Sequence, residues 1–307
     1  MIVDSSKAIR IMGKPNEICS SAIARLFSPN VLGEIARKGR SSLFARLLHE
    51  SNLIQQVPQT VKLYNLFEKA FEFLKCKEHR HEYSYKAALA NQLFLGEHSL
   101  DTASMITELR VGRCRADVVI LNATSMVYEI KSERDSLDRL SKQINTFQQV
   151  FAHVNVIVGE NHILTVLDSV GQDIGVMILT DEHQIKPIQK GRAQASKTHP
   201  VSIFDTIRLR ESELILNDMG ISVPDVPNTL RYQALRSCFT NLDPVRVHDH
   251  MVQTLKQTRC LKSRESLLKQ LPSCLHSAVL SLRLRQQDYT RLVESLKTSI
   301  STAITWS

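Results

Sequence analysis

The feature that most constrains the fold is a change in the spacing of hydrophobic residues near position 104. Before that point apolar residues recur every three or four positions, which is typical of amphipathic helices. From Ser104 the period falls to two, and short runs rich in Val, Ile and Leu are separated by turn-forming residues. This pattern predicts strands over 104–110, 113–122, 126–131, 154–158 and 174–180.

Helical spacing fills the gaps between these runs. A helix is predicted over 83–94, ahead of the first strand, and a short one over 162–170. After the third strand Ser132 and Asp135 resemble a capping box, which predicts the start of an amphipathic helix. Its apolar stripe consists of Leu137, Leu140, Ile144, Phe147 and Phe151. The predicted order is α-β-β-β-α-β followed by α-β, an α/β fold whose mixed sheet is flanked by helices.

Charge divides the chain into three regions that match this pattern. A helical N-terminal region, 1–78, has 12 Lys and Arg against 7 Asp and Glu, and a helical C-terminal region, 191–307, has 16 against 10. The core between them, 79–190, is acidic, with 11 against 14. Basic flanks suit a polyphosphate partner, and acidic side chains suit a divalent cation. The same charges are also explained by solubility alone.

Several function classes are excluded by missing motifs. The chain has neither G-x-x-x-x-G-K-[ST] nor G-x-G-x-x-G, so no nucleotide-cradling loop is expected. Its six cysteines include no C-x-x-C pair, which disfavours a zinc site or a disulfide framework. No apolar run reaches the roughly 20 residues that span a bilayer, and residues 1–14 lack a signal-peptide pattern. We therefore expect a cytoplasmic protein without a membrane partner.

Strand geometry groups four charged residues. Glu129 and Lys131 are two apart on one predicted strand and share a face, while Asp117 lies on the adjacent strand. A two-residue turn at Val111-Gly112 would place Arg110 across from Arg113. The same register puts Glu108 opposite Arg115 and diagonal to Asp117.

Such a group suits phosphodiester hydrolysis. Two carboxylates, Asp117 and Glu129, supply the hard oxygen ligands that Mg²⁺ prefers, with Mn²⁺ as a substitute. A bound metal polarises a phosphoryl group and lowers the pKa of a bound water. Lys131 would orient that water or stabilise charge at phosphorus.

The same residues resemble the PD-(D/E)XK nuclease superfamily, whose core has the α-β-β-β-α-β order. Asp117 followed by Glu129-Ile130-Lys131 matches its D…E-x-K motif. Gln143 and Phe147 are similar to the Q-x-x-x-Y element of RecB-like members, with Phe in place of Tyr. The fuller string of motif residues looks like the bacterial sce7726-type branch; it comprises Arg115-Ala116-Asp117, Tyr128-Glu129-Ile130-Lys131-Ser132, Asp135-Ser136-Leu137, Arg139-Leu140 and Gln143.

The resemblance implies a restriction-endonuclease-like core and a Mg²⁺-dependent phosphodiesterase. DNA is the expected substrate ahead of RNA, and conflict with mobile elements is the implied setting. Glu82 matches a further acidic position on the first helix of the family, and Gln143 would hold the metal-bound water or a phosphate. Glu82 and Glu108 are thus candidate metal ligands beside Asp117 and Glu129.

Several of these residues also fit purely structural roles. The E-x-K pair fits a cross-strand salt bridge, Glu108 fits a partner of Arg115, and Glu82 fits a helix N-terminal acid. A catalytically silent nucleic-acid-binding or assembly protein is the alternative function, as is an RNA-directed nuclease. A homo-oligomer or a protein partner is compatible with the sequence.

Basic and histidine-rich segments outside the motif are open to two interpretations as well. Two basic segments contact phosphates or form solvated helix faces: Arg283-Leu284-Arg285 and the series Lys256, Arg259, Lys262 and Arg264. Two histidine groups, His79-Arg80-His81 and His248-Asp249-His250, are weak metal candidates because adjacent side chains diverge on a strand or a helix.

Overall fold

The computed structural model describes residues 18–307, so the first part of the predicted N-terminal region, residues 1–17, lies outside the described residues. Helices precede the sheet: α1 (Ser20–Leu26), α2 (Pro29–Lys38), α3 (Ser42–Glu50), α4 (Leu63–Lys75) and α5 (Glu82–Ala88). A π-helical turn, Leu89–Phe94, continues α5. Helix α2 shows how local sequence sets the bounds. Ser28 caps its first turn, Pro29 occupies the first helical position, and Gly39 ends it in the left-handed conformation, with φ of 76°.

Six strands form one mixed sheet in sequence order: β1 (Ser104–Val111), β2 (Cys114–Leu121), β3 (Ser125–Lys131), β4 (His153–Val158), β5 (Gly175–Leu179) and β6 (Ile185–Gln189). The pairs β1–β2, β2–β3 and β5–β6 are antiparallel, whereas β3–β4 and β4–β5 are parallel. The parallel connections run through α6 (Leu140–Gln148) and α7 (Ile163–Ser169). Crossover helices are what parallel neighbours require.

The remaining helices follow the sheet: α8 (Pro200–Phe204), α9 (Leu209–Asp218), α10 (Asn228–Phe239), α11 (Pro244–Thr258), α12 (Glu265–Leu268), α13 (His276–Ser281), α14 (Gln286–Ser295) and α15 (Ile300–Ala303). None of the helices within residues 18–307 has the length and apolar character needed to span a membrane. All six cysteines are free thiols.

Two apolar cores cover the two faces of the sheet. The first core joins α1–α5 and α12–α15 to sheet residues such as Ile120, Tyr128 and Ile130. The second core joins α6–α11 to residues such as Val119 and Val127 on the opposite face. The C-terminal region is therefore divided between both faces. Its last segment returns to the N-terminal helices, where the Leu63 N–H donates to the Thr298 carbonyl at 2.9 Å.

The mixed α/β architecture with a sheet flanked by helices is confirmed, and the five predicted strands are present. The predicted register of the first hairpin is wrong. Arg110 pairs with Arg115, not with Arg113, because the two-residue turn falls at Gly112-Arg113. Gly112 adopts φ of 56°, which glycine reaches without steric cost. As a result Glu108 lies across from Asp117, between the pairs Leu109–Ala116 and Thr107–Val118.

Two further expectations are corrected by the structure. The Asp135 carboxylate accepts hydrogen bonds from the Ser132 N–H and hydroxyl at 2.8 and 2.6 Å, which makes a turn. The helix begins later, at Leu140, so Ser132 and Asp135 are not its capping box. Strand β6 was not predicted. It contains Pro187 and lies at the sheet edge, where a missing N–H is tolerated.

Candidate active site

Asp117 occupies the point where β2 and β3 separate. Backbone pairing between these strands ends at Val118 and Tyr128. Asp117 directly precedes Val118 on β2, and its Oδ2 accepts a hydrogen bond of 2.7 Å from the Ile130 N–H. The carboxylate thus replaces a backbone carbonyl in the ladder and is fixed against β3.

Glu129, Lys131 and Gln143 form a connected polar group on the α6 side of β3. Lys131 Nζ donates to Glu129 Oε1 at 2.8 Å and to Gln143 Oε1 at 3.0 Å. The Gln143 amide in turn donates to the same Glu129 oxygen. The Glu129 side chain is 2% exposed and that of Lys131 7%. Buried groups with these mutual bonds have little rotational freedom.

One oxygen of this group has no protein partner. Glu129 Oε2 is buried and accepts no hydrogen bond from any described residue. A buried carboxylate oxygen without a donor is costly, by about 1–3 kcal/mol or more. A bound cation or an ordered water would satisfy such an unpaired oxygen.

Two further carboxylates lie close to Asp117. Ligand atoms of Glu82, on α5, Glu108, on β1, and Asp117 lie within 4.8 Å of one another. The Lys86 ammonium forms ion pairs with both Glu82 and Glu108 and is 16% exposed. Lys86 therefore already supplies one positive charge to this cluster.

The backbone of Glu108 departs from regular strand geometry. Its φ is 55°, a backbone conformation that residues other than glycine rarely adopt. Regular alternation would place Met105, Leu109 and Val111 on one face. Met105 instead packs in the first core, whereas Leu109 and Val111 pack in the second. The switch at Glu108 changes the face of the strand beside Asp117, and such strain tends to occur at functional sites.

The electrostatics of the site follow from burial of like charges. Burial and the neighbouring Glu129 raise the pKa of Asp117 to about 8, against the effect of the Ile130 N–H. Burial also raises the pKa of Glu129, although Lys131 and Gln143 oppose it. For Lys86, burial acts to lower the pKa, but Glu82 and Glu108 outweigh it and the pKa is raised. The side chains of the site alone do not supply the positive charge needed to ionise all its acids at neutral pH.

Most of these residues line an open cleft of about 620 Å³, whereas Lys86 and Glu108 line a neighbouring one. The floor of the first cleft carries Glu82, Asp117, Glu129, Lys131 and Gln143. Five exposed cationic side chains line the rim: Arg110, Arg113, Arg115, Arg139 and Lys142. We call this the carboxylate cleft. An acidic floor under a basic rim can hold a cation and a polyanion together.

All six candidate site residues thus lie at one place. Asp117, Glu129, Lys131, Gln143 and Glu82 line the carboxylate cleft, and Glu108 meets Asp117 and Glu82 at its edge. Glu108 also lies 3.8 Å from Arg115, so the predicted ion pair with that residue forms as well. Phe147 is fully buried in the second core and does not reach the cleft.

The sequence interpretation missed Lys86 and left the histidine groups open. Lys86 follows Glu82 by four residues on α5, which is the spacing of a helical ion pair and could have indicated it. His79 stacks on Phe73 with ring centroids 4.0 Å apart. His248 Nε2 bonds the Ser125 hydroxyl at 2.7 Å in the protein interior. These contacts give both histidines structural partners.

The fold and the site define the class of protein coarsely, as a mixed α/β protein with an acidic cleft under a basic rim. A model of the bacteriophage P4 protein cII family matches residues 75–276, well over half of the chain. The chain therefore belongs to the bacteriophage P4 protein cII family. Protein cII of Enterobacteria phage P4 is 28% identical over 180 residues, which cover 57% of this chain and 66% of that protein, just under two thirds of its length.

A solved structure of a protein of unknown function from Silicibacter pomeroyi is also similar. The two share 16% sequence identity with a TM-score of 0.30, over 45% of this chain and 92% of that one. A TM-score of this size is too low to establish a shared fold.

Proposed function

We propose that the protein is a metal-dependent nuclease that hydrolyses phosphodiester bonds in DNA and has a restriction-endonuclease-like core of the PD-(D/E)XK type. The observation that carries the proposal is the meeting of Asp117, Glu129, Lys131 and Gln143 on the floor of one cleft. The order α5-β1-β2-β3-α6-β4 agrees with the αβββαβ core. Resemblance to the sce7726-type branch rests on the motif residues.

The acids present suit Mg²⁺ or Mn²⁺. Asp117 and Glu129 would hold the metal, and Glu82 and Glu108 would complete its surroundings. The unpartnered Glu129 Oε2 and the mutual repulsion within the Asp117–Glu129 pair favour a cation at that position. When bound, the metal would polarise the phosphoryl group and acidify a bound water.

The chain's own residues would supply positioning and charge. Lys131 is held by Glu129 and Gln143, so its ammonium would face a phosphate in a fixed orientation and stabilise negative charge that develops at phosphorus. The arginines of the rim would bind neighbouring phosphates and set the register of the strand. Arg113 and Arg139 form no ion pair with any described residue, so they are free for this task.

The chemistry of the cleft does not select the sugar, so DNA is proposed ahead of RNA on the motif resemblance. A setting in conflict with mobile elements is compatible with a family named after a bacteriophage protein. Labelled DNA and RNA should be incubated in parallel with Mg²⁺, Mn²⁺ or EDTA. We expect DNA cleavage with either metal and none in EDTA.

Salt-sensitive DNA binding that persists in EDTA, without product under any metal, would instead establish a silent nucleic-acid-binding protein. Cleavage of RNA alone would establish the RNA-directed alternative. Either result would overturn the proposed DNA nuclease.

A further inference from the structure

Three more clefts continue from the carboxylate cleft across the surface, and each shares wall residues with the next. The carboxylate cleft shares Glu82 and Asp135 with a second, apolar cleft of about 550 Å³. Its apolar wall includes Ala24, Phe27 and Ala278.

The second cleft shares Thr107 and Ser281 with a third one, of about 320 Å³. The third shares Arg264 and Arg283 with a fourth, of about 740 Å³. The four clefts therefore lie next to one another in a row from the carboxylates to the C-terminal helices.

The third and fourth clefts are lined by arginines, and we call them together the arginine groove. The groove is built from segments remote in sequence: the end of α2, part of β1, the start of α9, and the stretch from the end of α11 to α14. Its cationic side chains include Arg37, Arg208, Arg264, Arg283, Arg285 and Arg291. Asp288 is the acidic residue among the lining side chains.

Some of these arginines have structural partners and others do not. Arg264 donates to the carbonyls of Val279 and Leu280, and Arg291 lies 3.4 Å from Asp288. Arg259, in the same wall, is neutralised by Glu211 at 2.8 Å. Among the described residues Arg37, Arg283 and Arg285 form no ion pair, and all three are exposed.

Three exposed cations of the groove, Arg37, Arg283 and Arg285, thus lack matching acids. The guanidinium of Arg264 is largely buried, and Arg283 stands close enough to act on it: burial, together with Arg283, lowers the pKa of Arg264 although Tyr289 opposes this. Exposed cations that lack acidic partners create a positive field, which attracts an anion. A polyanion that extends along the groove would neutralise them.

We propose that the arginine groove binds the phosphate backbone of one nucleic-acid strand, which continues through the apolar cleft to the carboxylate cleft. The occupant follows from charge complementarity and from the shared walls of the four clefts. The apolar cleft lies between the basic rim of the carboxylate cleft and the arginine groove, so a strand bound at both would cross it. The proposal rests on the proposed function for the catalytic end of this path, whereas binding in the groove needs no turnover.

The test is the binding of a fluorescein-labelled single-stranded DNA of about 20 nucleotides, measured by anisotropy in EDTA over a series of salt concentrations. Arg283→Glu with Arg285→Glu should weaken binding at least tenfold. The slope of log affinity against log salt should become shallower by about 1.4, or about 0.7 for each lost contact. A milder double variant, Arg283→Gln with Arg285→Gln, should also weaken binding and make the salt slope shallower. It removes the two charges without reversing them, so it controls for misfolding of the glutamate variant.

A matched control reverses two exposed basic residues that line none of the four clefts, Lys69→Glu with Lys190→Glu. This control makes the same change in net charge and should retain most of the affinity and the wild-type slope. Equal effects of the control and the groove variants, or wild-type binding by the groove variants, would overturn the proposal.

A small diester, bis(p-nitrophenyl) phosphate, separates the two proposals because it is too short to reach the groove. Wild type and groove variants should hydrolyse it at the same rate with Mn²⁺. No hydrolysis by either protein, combined with lost DNA binding by the variants, would contradict the nuclease and leave the groove standing. Hydrolysis of the diester by both proteins, with unchanged DNA binding by the variants, would contradict the groove and leave the nuclease standing.

Discussion

The backbone N–H of Ile130 donates a 2.7 Å hydrogen bond to Asp117 Oδ2, and this bond joins two residues of the D…E-x-K motif across the separating ends of β2 and β3. The carboxylate therefore has a structural role beside its proposed role as a metal ligand. Two substitutions can separate these roles, because asparagine keeps an acceptor oxygen and alanine does not.

Asp117→Asn and Asp117→Ala should both reduce Mg²⁺-dependent cleavage at least a hundredfold, since neither supplies an anionic ligand. Only Asp117→Ala should lose stability, by about 1 kcal/mol, because it leaves the Ile130 N–H without its acceptor. Initial cleavage rates and urea denaturation measure the two effects. Full cleavage by Asp117→Asn would remove this residue from the site.

The raised pKa of Asp117 predicts a specific dependence of stability on pH. Because its folded pKa is about 8, above the usual 3.9 or so, the folded protein retains a proton that the unfolded chain has released. The stabilising contribution of Asp117 is then fully present below about pH 4 and is lost as the pH rises through about 8. In EDTA the free energy of unfolding should fall by up to about 2 kcal/mol more between pH 6 and pH 8 for wild type than for Asp117→Asn.

Urea denaturation at pH 6, 7 and 8 measures this difference. Parallel pH profiles for the two proteins would contradict the raised pKa. Since a metal ligand must be deprotonated, Mg²⁺ should also bind wild type more tightly at pH 8 than at pH 6.

Lys86 competes with any metal for the Glu82 and Glu108 carboxylates. Lys86→Met keeps the length of the side chain and removes its charge, so Mg²⁺ affinity should rise by about tenfold, equivalent to about 1.4 kcal/mol. Calorimetric titration of Mg²⁺ into the protein measures the affinity. Lys69→Met, which removes an exposed lysine elsewhere, serves as the control and should bind as wild type does. Unchanged binding by Lys86→Met would contradict this competition, and weaker binding would show that the ammonium helps to arrange the ligands.

Arg80 is expected to stabilise the folded protein. Its guanidinium is fully buried and donates to the carbonyls of Lys75, Leu179 and Thr180 at 2.9, 3.0 and 2.6 Å. Arg80→Met would remove three hydrogen bonds from a buried site, although the Thr180 carbonyl keeps the His183 N–H at 3.0 Å, and should cost about 3 kcal/mol in the free energy of unfolding. Arg46→Met, at an exposed ion pair of 3.5 Å, should cost less than about 0.5 kcal/mol. Equal losses in the two variants would refute this role.

Five of the six strands could be predicted because each is a short aliphatic run bounded by turn residues. Their order then brought Asp117, Glu129 and Lys131 together without knowledge of any distance. Gln143 followed from its position on the helix after β3. These parts depend on local sequence and on strand alternation, which a single sequence displays.

The remaining parts depend on conformations or partners that the sequence does not display. The hairpin register was predicted wrongly because it depends on the turn at Gly112-Arg113, and Glu108 reverses the alternation with its positive φ. The ion pair from Lys86 to Glu108 joins residues on different elements. The arginine groove assembles helices from both ends of the chain, so its charges look like unrelated solvated faces in the sequence.

The most direct test of the proposed active site compares Glu129→Gln with Glu294→Gln in a DNA cleavage assay with Mg²⁺, Mn²⁺ and EDTA. Both changes remove one carboxylate charge, but Glu129 lies on the cleft floor, 2% exposed, whereas Glu294 is 62% exposed on α14. We predict metal-dependent cleavage by wild type and Glu294→Gln, and at least a hundredfold loss in Glu129→Gln with its fold retained. Cleavage by Glu129→Gln at the wild-type rate, or no metal-dependent cleavage by any of the three proteins, would contradict a metal-dependent nuclease at this cleft.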